Sequence, residues 1–259
     1  MNTIANTIKQ RLSLREPLGE ALDVLTRLVD KLSLSKPERQ SDKEAEAVAY
    51  EVYLKEQLQR VKEVCPYCKD FERDFPSCAF SIATGIGKTR LMGACIAYLY
   101  LAKGIRHFFI LAPNLTLYEK LMRDFGDPSY EKYVFKGISE FVHNEPLIIT
   151  GDNYNKARNL FSDNQIQISI FNISKFNTES KEGGKKGAPK MRRLSEYLGQ
   201  SYFDYLSSLD DLVILMDEAH RYHADASKKA INELRPILGL EMTATPTDEK
   251  GKSFKNIVY

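Results

Sequence analysis

The sequence predicts an α/β fold in which helices wrap a mainly parallel sheet, preceded by a helical N-terminal extension. Three observations carry this. From about Ala79 onward, short apolar runs alternate with segments of helical periodicity, the pattern of repeated βα units. The run Ser81-Ile82-Ala83-Thr84-Gly85-Ile86-Gly87-Lys88-Thr89-Arg90 passes from strand-like residues through a glycine loop into a helical pattern. A further apolar strand, Leu212-Val213-Ile214-Leu215-Met216, ends in the acids Asp217 and Glu218. Hydrophobic residues make up 43% of the 259, enough for a sizeable core. That length fits one large domain with an appendage. The change of texture divides it into an extension over residues 1–75 and an α/β lobe over residues 76–259.

The elements follow in order. Over residues 16–33, Leu18, Leu22, Leu25, Val29 and Leu32 fall at helical spacing, so one stripe is buried. Pro37 stops any continuation. A second helix is predicted over residues 41–64, with Ser41 as N-cap and Glu44 three residues on, a capping-box pattern. Strands are predicted over residues 79–83, 107–112, 146–150, 167–171, 212–216 and 238–242. Helices are predicted over residues 88–103, 117–125, 190–208 and 224–234. The stretch Lys181-Glu182-Gly183-Gly184-Lys185-Lys186-Gly187-Ala188-Pro189-Lys190 is glycine-rich and basic, with Arg192 and Arg193 behind it, and reads as a flexible loop.

A net charge of +2 neither demands nor excludes nucleic acid. No run reaches the ~18 apolar residues of a membrane span, and the N-terminus has no apolar leader, so a cytoplasmic protein is expected. Cys65-Pro66-Tyr67-Cys68 has zinc-ligand spacing and Cys78 follows, but a second close pair is missing. Reduced structural thiols are therefore expected rather than zinc or disulfides.

The chemistry starts at the glycine loop. Glycines let successive backbone N–H groups turn toward phosphate oxygens, and the helix that follows adds a favourable dipole. A tight turn alone would also use glycine, but not between a strand and a helix with lysine at the junction. Thr84, Gly85, Ile86, Gly87, Lys88, Thr89 and Arg90 are the expected ATP contacts. Lys88 supplies a cation for the β- and γ-phosphates, and the Thr89 hydroxyl can hold Mg²⁺. At the end of the 212–216 strand, Asp217 is placed on the metal and Glu218 on the attacking water. An isolated acidic pair would more simply be solvated; paired with a phosphate loop it completes a site.

A third block, Leu240-Glu241-Met242-Thr243-Ala244-Thr245-Pro246, is again an apolar strand ending in hydroxyls. In order and identity the three blocks (ATGIGKT, DEAH and TAT) resemble motifs I, II and III of superfamily 2 helicases. The resemblance implies a RecA-like P-loop domain and ATP with Mg²⁺. It also implies coupling roles for Thr243 and Thr245, with His220 as an internal contact between motifs II and III. Ile82 stands where the full phosphate-loop pattern has glycine, a replacement common in helicase-type loops. The runs Asp217 to Ala224 and Ile170 to Asn177 look more narrowly like the ATPase of type III restriction Res subunits, over about residues 79–250. Motif Ia would then be Ala112-Pro113-Asn114.

By this resemblance Pro113, Asn114, Asn172, Ser174 and Lys175 are DNA-backbone candidates, and Lys185, Lys186 and Lys190 of the basic loop join them on charge. A solvated insertion is the competing account of that loop. Some relatives read adenine with an upstream glutamine; the similar stretch Leu14-Arg15-Glu16-Pro17-Leu18 has none. The partners implied are duplex DNA, a second RecA-like lobe and a methyltransferase or specificity subunit. After Pro246 only residues 247–259 remain, without room for a second lobe and its arginine finger. One motor lobe is expected, binding ATP but nearly inactive alone. A DNA-repair or type I restriction translocase shares all three motifs. A nucleotide-dependent interaction module without turnover is opposed by the intact Lys88, Asp217 and Glu218. A small-molecule kinase is opposed by the TAT block.

Overall fold

Among the described residues the apolar runs become six strands in one sheet, and every adjacent pair is parallel. The computed structural model describes residues 2–37, 41–150, 165–172, 200–222, 228, 231–247 and 251–259. The strands are β1 (Ser77–Ser81), β2 (His107–Ala112), β3 (Leu147–Ile149), β4 (Gln167–Asn172), β5 (Leu212–Asp217) and β6 (Leu238–Thr243). Across the sheet they run β1-β6-β5-β2-β4-β3. The central strands are buried along nearly their whole length. Covered on both faces, they read as continuous apolar runs rather than alternating ones. The pleat still sorts them. Phe108, Ile110, Val213 and Leu215 join one apolar cluster, and Phe109, Leu111, Ile214 and Met216 join the other. This is a RecA-like α/β architecture.

Helices α1 (Thr3–Arg11), α2 (Glu16–Lys31), α3 (Lys43–Val64) and α4 (Lys88–Lys103) come before β2. Sequence reasoning missed α1. Its cap is Asn2, whose Oδ1 accepts the Ala5 N–H at 3.2 Å, and it buries Ala5 and Ile8. Leu18, Leu22, Leu25 and Val29 of α2 are buried in the same cluster as α4, as their spacing predicts. The N-cap of α3 is corrected from Ser41 to Asp42, whose Oδ2 accepts the Ala45 N–H at 3.1 Å. A carboxylate at that position also favours the positive end of the helix dipole.

The bounds of α4 match the sequence prediction; Leu91 to Leu99 are all buried, and Gly104 closes the helix at φ 71°. After β2 comes α5 (Leu115–Gly126), two residues earlier than predicted because the Asn114 side chain caps it, accepting the Leu117 N–H at 2.9 Å. Helices α6 (Ser139–His143) and α7 (Gln200–Ser208) follow among the described residues. Only residues 200–208 of the predicted 190–208 helix are described, and the basic loop over 181–193 lies outside the described residues. Of the predicted 224–234 helix, residues 228 and 231–233 are described, as helical.

All four cysteines are free and buried. Burial pushes their thiols up, Cys68 to about 11, so none is a ready thiolate. Among the described residues no helix is long and apolar enough to cross a membrane.

A buried ion pair is seated on β6. The Arg73 Nε donates to Glu241 Oε1 at 3.3 Å, both side chains fully buried, and Arg73 Nη1 donates to the Tyr222 carbonyl at 2.9 Å. Asn256 Nδ2 reaches the same Glu241 oxygen at 3.3 Å. Arg73 thereby ties β6 to the turn that follows β5. Removing one member of such a pair strands the other charge in a low-dielectric interior. Arg73→Met keeps bulk and loses charge, so it is expected to destabilise the chain by about 3–5 kcal/mol, read as a lower urea midpoint at unchanged slope.

Candidate nucleotide site

In a parallel sheet all strands end on one edge, and α/β folds place ligands there. Ser81, Ala112, Ile149, Asn172, Asp217 and Thr243 are those ends. The loop after β1 reaches α4 through Gly85 at φ 78° and Gly87 at φ 122°, both in the left-handed region where a side chain is strained. A Cβ on Gly87 would also come within 3.2 Å of Leu18. No side chain caps the first turn of α4. Its leading N–H groups are therefore available to an anion.

A cavity of about 790 Å³ opens here. It is lined by Thr84, Gly85, Ile86, Gly87, Lys88, Thr89 and Arg90 from one side of the chain and by Asp217 and Glu218 from the other. The residues predicted to hold ATP and Mg²⁺ thus share one wall. Lys88 Nζ donates to Glu218 Oε1. Glu218 itself sits at φ 53°, left-handed for a side chain-bearing residue. Such a conformation costs about 1–3 kcal/mol and is held by its surroundings. Asp217 is buried, and its Oδ1 accepts the Glu218 N–H at 3.0 Å. Burial raises the Asp217 pKa against the pull of Lys88, and the neighbouring Glu218 charge raises it further.

His220 lies in the short 3₁₀ turn Ala219–Tyr222. Its Nδ1 is 3.2 Å from Thr243 Oγ1, 3.3 Å from Thr245 Oγ1 and 3.6 Å from Glu218 Oε2. The Thr243 hydroxyl donates its one hydrogen to the Thr245 carbonyl at 3.0 Å. The Nδ1–H tautomer is therefore the one that donates to Thr243. Burial lowers the His220 pKa, with Arg221 and Lys88 pulling the same way against Glu218. Burial thus disfavours the charged ring, and its contacts with the two threonines are hydrogen bonds.

Other predicted residues are placed differently. Arg90 lines the cavity, but its guanidinium donates to the Leu12 carbonyl at 2.7 Å, tying α4 to the end of α1. The Thr89 hydroxyl accepts a hydrogen bond from Lys120 Nζ at 2.8 Å. Pro113 is buried, the Asn114 side chain is engaged as the α5 cap, and Asn172 is buried at the end of β4. Ser174, Lys175, Lys185, Lys186 and Lys190 lie outside the described residues.

Sequence reasoning missed part of the cavity wall. Ser13 and Arg15 come from the α1–α2 turn, Leu18 from the first turn of α2, and Lys120, Asp124 and Lys132 from α5 and the loop after it. Arg15 lies in the stretch where an adenine-reading glutamine was sought, so that region does reach the cavity. No local pattern announces Lys120 or Asp124. A 120–124 spacing reads only as an i,i+4 ion pair on a helix face.

Comparison with known proteins agrees with the geometry. A family model described as "Type III restriction enzyme, res subunit" matches residues 51–248. The Haemophilus influenzae protein named "Probable type III restriction-modification enzyme HindVIP Res subunit" is 30% identical over 159 residues, which are 60% of this chain and 26% of that protein. Among solved structures, a nuclease-deletion mutant of the type ISP restriction-modification enzyme LlaGI, in complex with a DNA substrate mimic, aligns at a TM-score of 0.44 and 14% identity. That alignment covers 86% of this chain and 20% of the LlaGI chain. The chain therefore spans about a quarter of the length of the curated relative it matches. With a family match across more than half of its residues, the chain belongs to the type III restriction enzyme Res subunit family.

Proposed function

We propose that this chain is the ATP-binding first motor lobe of a DNA-dependent ATPase acting in a type III restriction system. The observation that carries the proposal is the meeting of the phosphate loop with Asp217 and Glu218 around one cavity of about 790 Å³. That volume lies within the usual range of small-ligand pockets. The donor set fits Mg²⁺, which takes hard oxygen ligands and keeps several waters. Thr89 offers a hydroxyl, and Asp217 offers a buried carboxylate whose raised pKa a nearby cation would relieve. When bound, the ion neutralises phosphate charge.

The chain's own residues divide the remaining work. The Gly85–Lys88 backbone and the first turn of α4 cradle phosphate. Lys88 leaves Glu218 for the phosphates, and Glu218 is then free to take a proton from water. His220, bonded to both Thr243 and Thr245, carries the change at Glu218 into the segment after β6. Arg15 and Leu18, which line the same cavity, would flank the adenine base. Duplex DNA, a second RecA-like lobe and a methyltransferase or specificity subunit are the partners of the whole protein.

Lys88 is the test. Lys88→Ala removes a directed charge-assisted contact and is expected to weaken Mg-ATP binding by about 10–100-fold in a calorimetric titration. Equal affinity in the variant and the wild type would remove the phosphate-loop assignment.

A further inference from the structure

In this structure neither group that a magnesium nucleotide would take is free. Lys88 is held by Glu218, and the Thr89 hydroxyl is held by Lys120. The second contact has no role in the site as described so far. Lys120 Nζ stands 2.8 Å from Thr89 Oγ1 and 2.6 Å from Asp124 Oδ2. Asp124 is 3% exposed, and its other oxygen, Oδ1, has no hydrogen-bond partner among the described residues. Both Lys120 and Asp124 line the cavity. A buried carboxylate fixes the ammonium, and the ammonium occupies the hydroxyl.

We propose that Lys120 is a resident cation on the Thr89 hydroxyl, a latch that a magnesium nucleotide must displace. The proposal rests on the site being a Mg-nucleotide site. An ammonium and a divalent cation on one hydroxyl oxygen repel each other strongly in a partly desolvated pocket. Loading therefore breaks the Lys120–Thr89 contact, while Asp124 retains Lys120. The contact spans two helices: Thr89 belongs to the first turn of α4, and Lys120 to the second turn of α5. The first residue before α5 is Asn114, and Pro113 precedes it. The latch thus ties the phosphate loop to the segment following β2 when the site is empty, and releases that tie when it is loaded. Lys120 is half-exposed, with a side chain 42% accessible, so its removal opens no cavity in the core. It does strand the buried Asp124 carboxylate. Lys120→Met is therefore also made together with Asp124→Asn, and the same tightening of Mg-ADP binding is expected in both.

The two halves of the idea separate by metal. Mg-ADP and metal-free ADP are titrated calorimetrically into the wild type, Lys120→Met and Lys120→Arg, with melting curves confirming that each variant folds. Loss of the competing charge-assisted contact is expected to tighten Mg-ADP binding by about tenfold in Lys120→Met. Metal-free ADP should bind the variant and the wild type alike, and Lys120→Arg, which keeps the charge, should stay near wild type. Weaker Mg-ADP binding by Lys120→Met would make Lys120 a direct ligand of the nucleotide and overturn the latch. So would equal tightening with and without Mg²⁺, or no change at all in a wild type that binds normally. A wild type that binds neither form fails differently, because it removes the nucleotide site and the latch with it.

Discussion

Glu218→Gln, made in a chain as long as the family's Res subunits, is expected to lower DNA-dependent ATP hydrolysis by about 10²–10⁴-fold. Mg-ATP affinity should change little. The glutamine amide keeps the shape of the carboxylate, and its carbonyl can still accept the hydrogen bond that Lys88 donates in the empty site. It cannot take a proton from water. Lys88, Thr89 and Asp217, which bind rather than deprotonate, are untouched. Phosphate release and equilibrium binding, measured on the same variant, check the two halves of this expectation. A variant that binds poorly would make Glu218 a structural partner of Lys88 rather than the base.

A larger effect is expected from what the 259 residues do not bring to the cavity. Charge developing on the transferred phosphoryl group needs stabilisation from several sides. Lys88 and a metal on Thr89 and Asp217 would act from the wall formed by α4 and β5; Arg15, Lys120 and Lys132 also line the cavity, Lys120 being held by Asp124. Arg90 is committed to the Leu12 carbonyl. An arginine finger supplied by another lobe is worth about 10³–10⁵ in rate. The isolated chain is therefore expected to turn ATP over slower than a two-lobed chain by about that factor, with little response to DNA.

The glycine loop between β1 and α4 was legible in the sequence because its signals are local. Glycine at φ 78° and φ 122°, lysine and threonine at the start of a helix, and an apolar strand before them lie within a dozen consecutive residues. The α4 bounds and the position of β5 followed for the same reason. Helix starts were harder. Ser41 and Asp42 are both good caps, and only the geometry shows that Asp42 takes the Ala45 N–H. Helix α1 was missed although Ile4, Ala5, Ile8 and Leu12 repeat at helical spacing; the stretch is short, and its stability comes from packing on α4. The far wall of the cavity was not legible at all. Arg15, Lys120 and Asp124 meet the loop only because the α1–α2 turn and α5 flank α4, a matter of long-range packing. The same holds for Arg73 and Glu241, far apart in the chain, which form a buried pair in the fold.

The central claim is that these residues hold ATP in one half of a motor. Binding of Mg-ATP and steady-state release of phosphate, measured on the same 259-residue chain with and without duplex DNA, test it most directly. The account predicts saturable binding of one nucleotide per chain and scant turnover that DNA does not raise. Absence of binding, or brisk turnover stimulated by DNA, would contradict it.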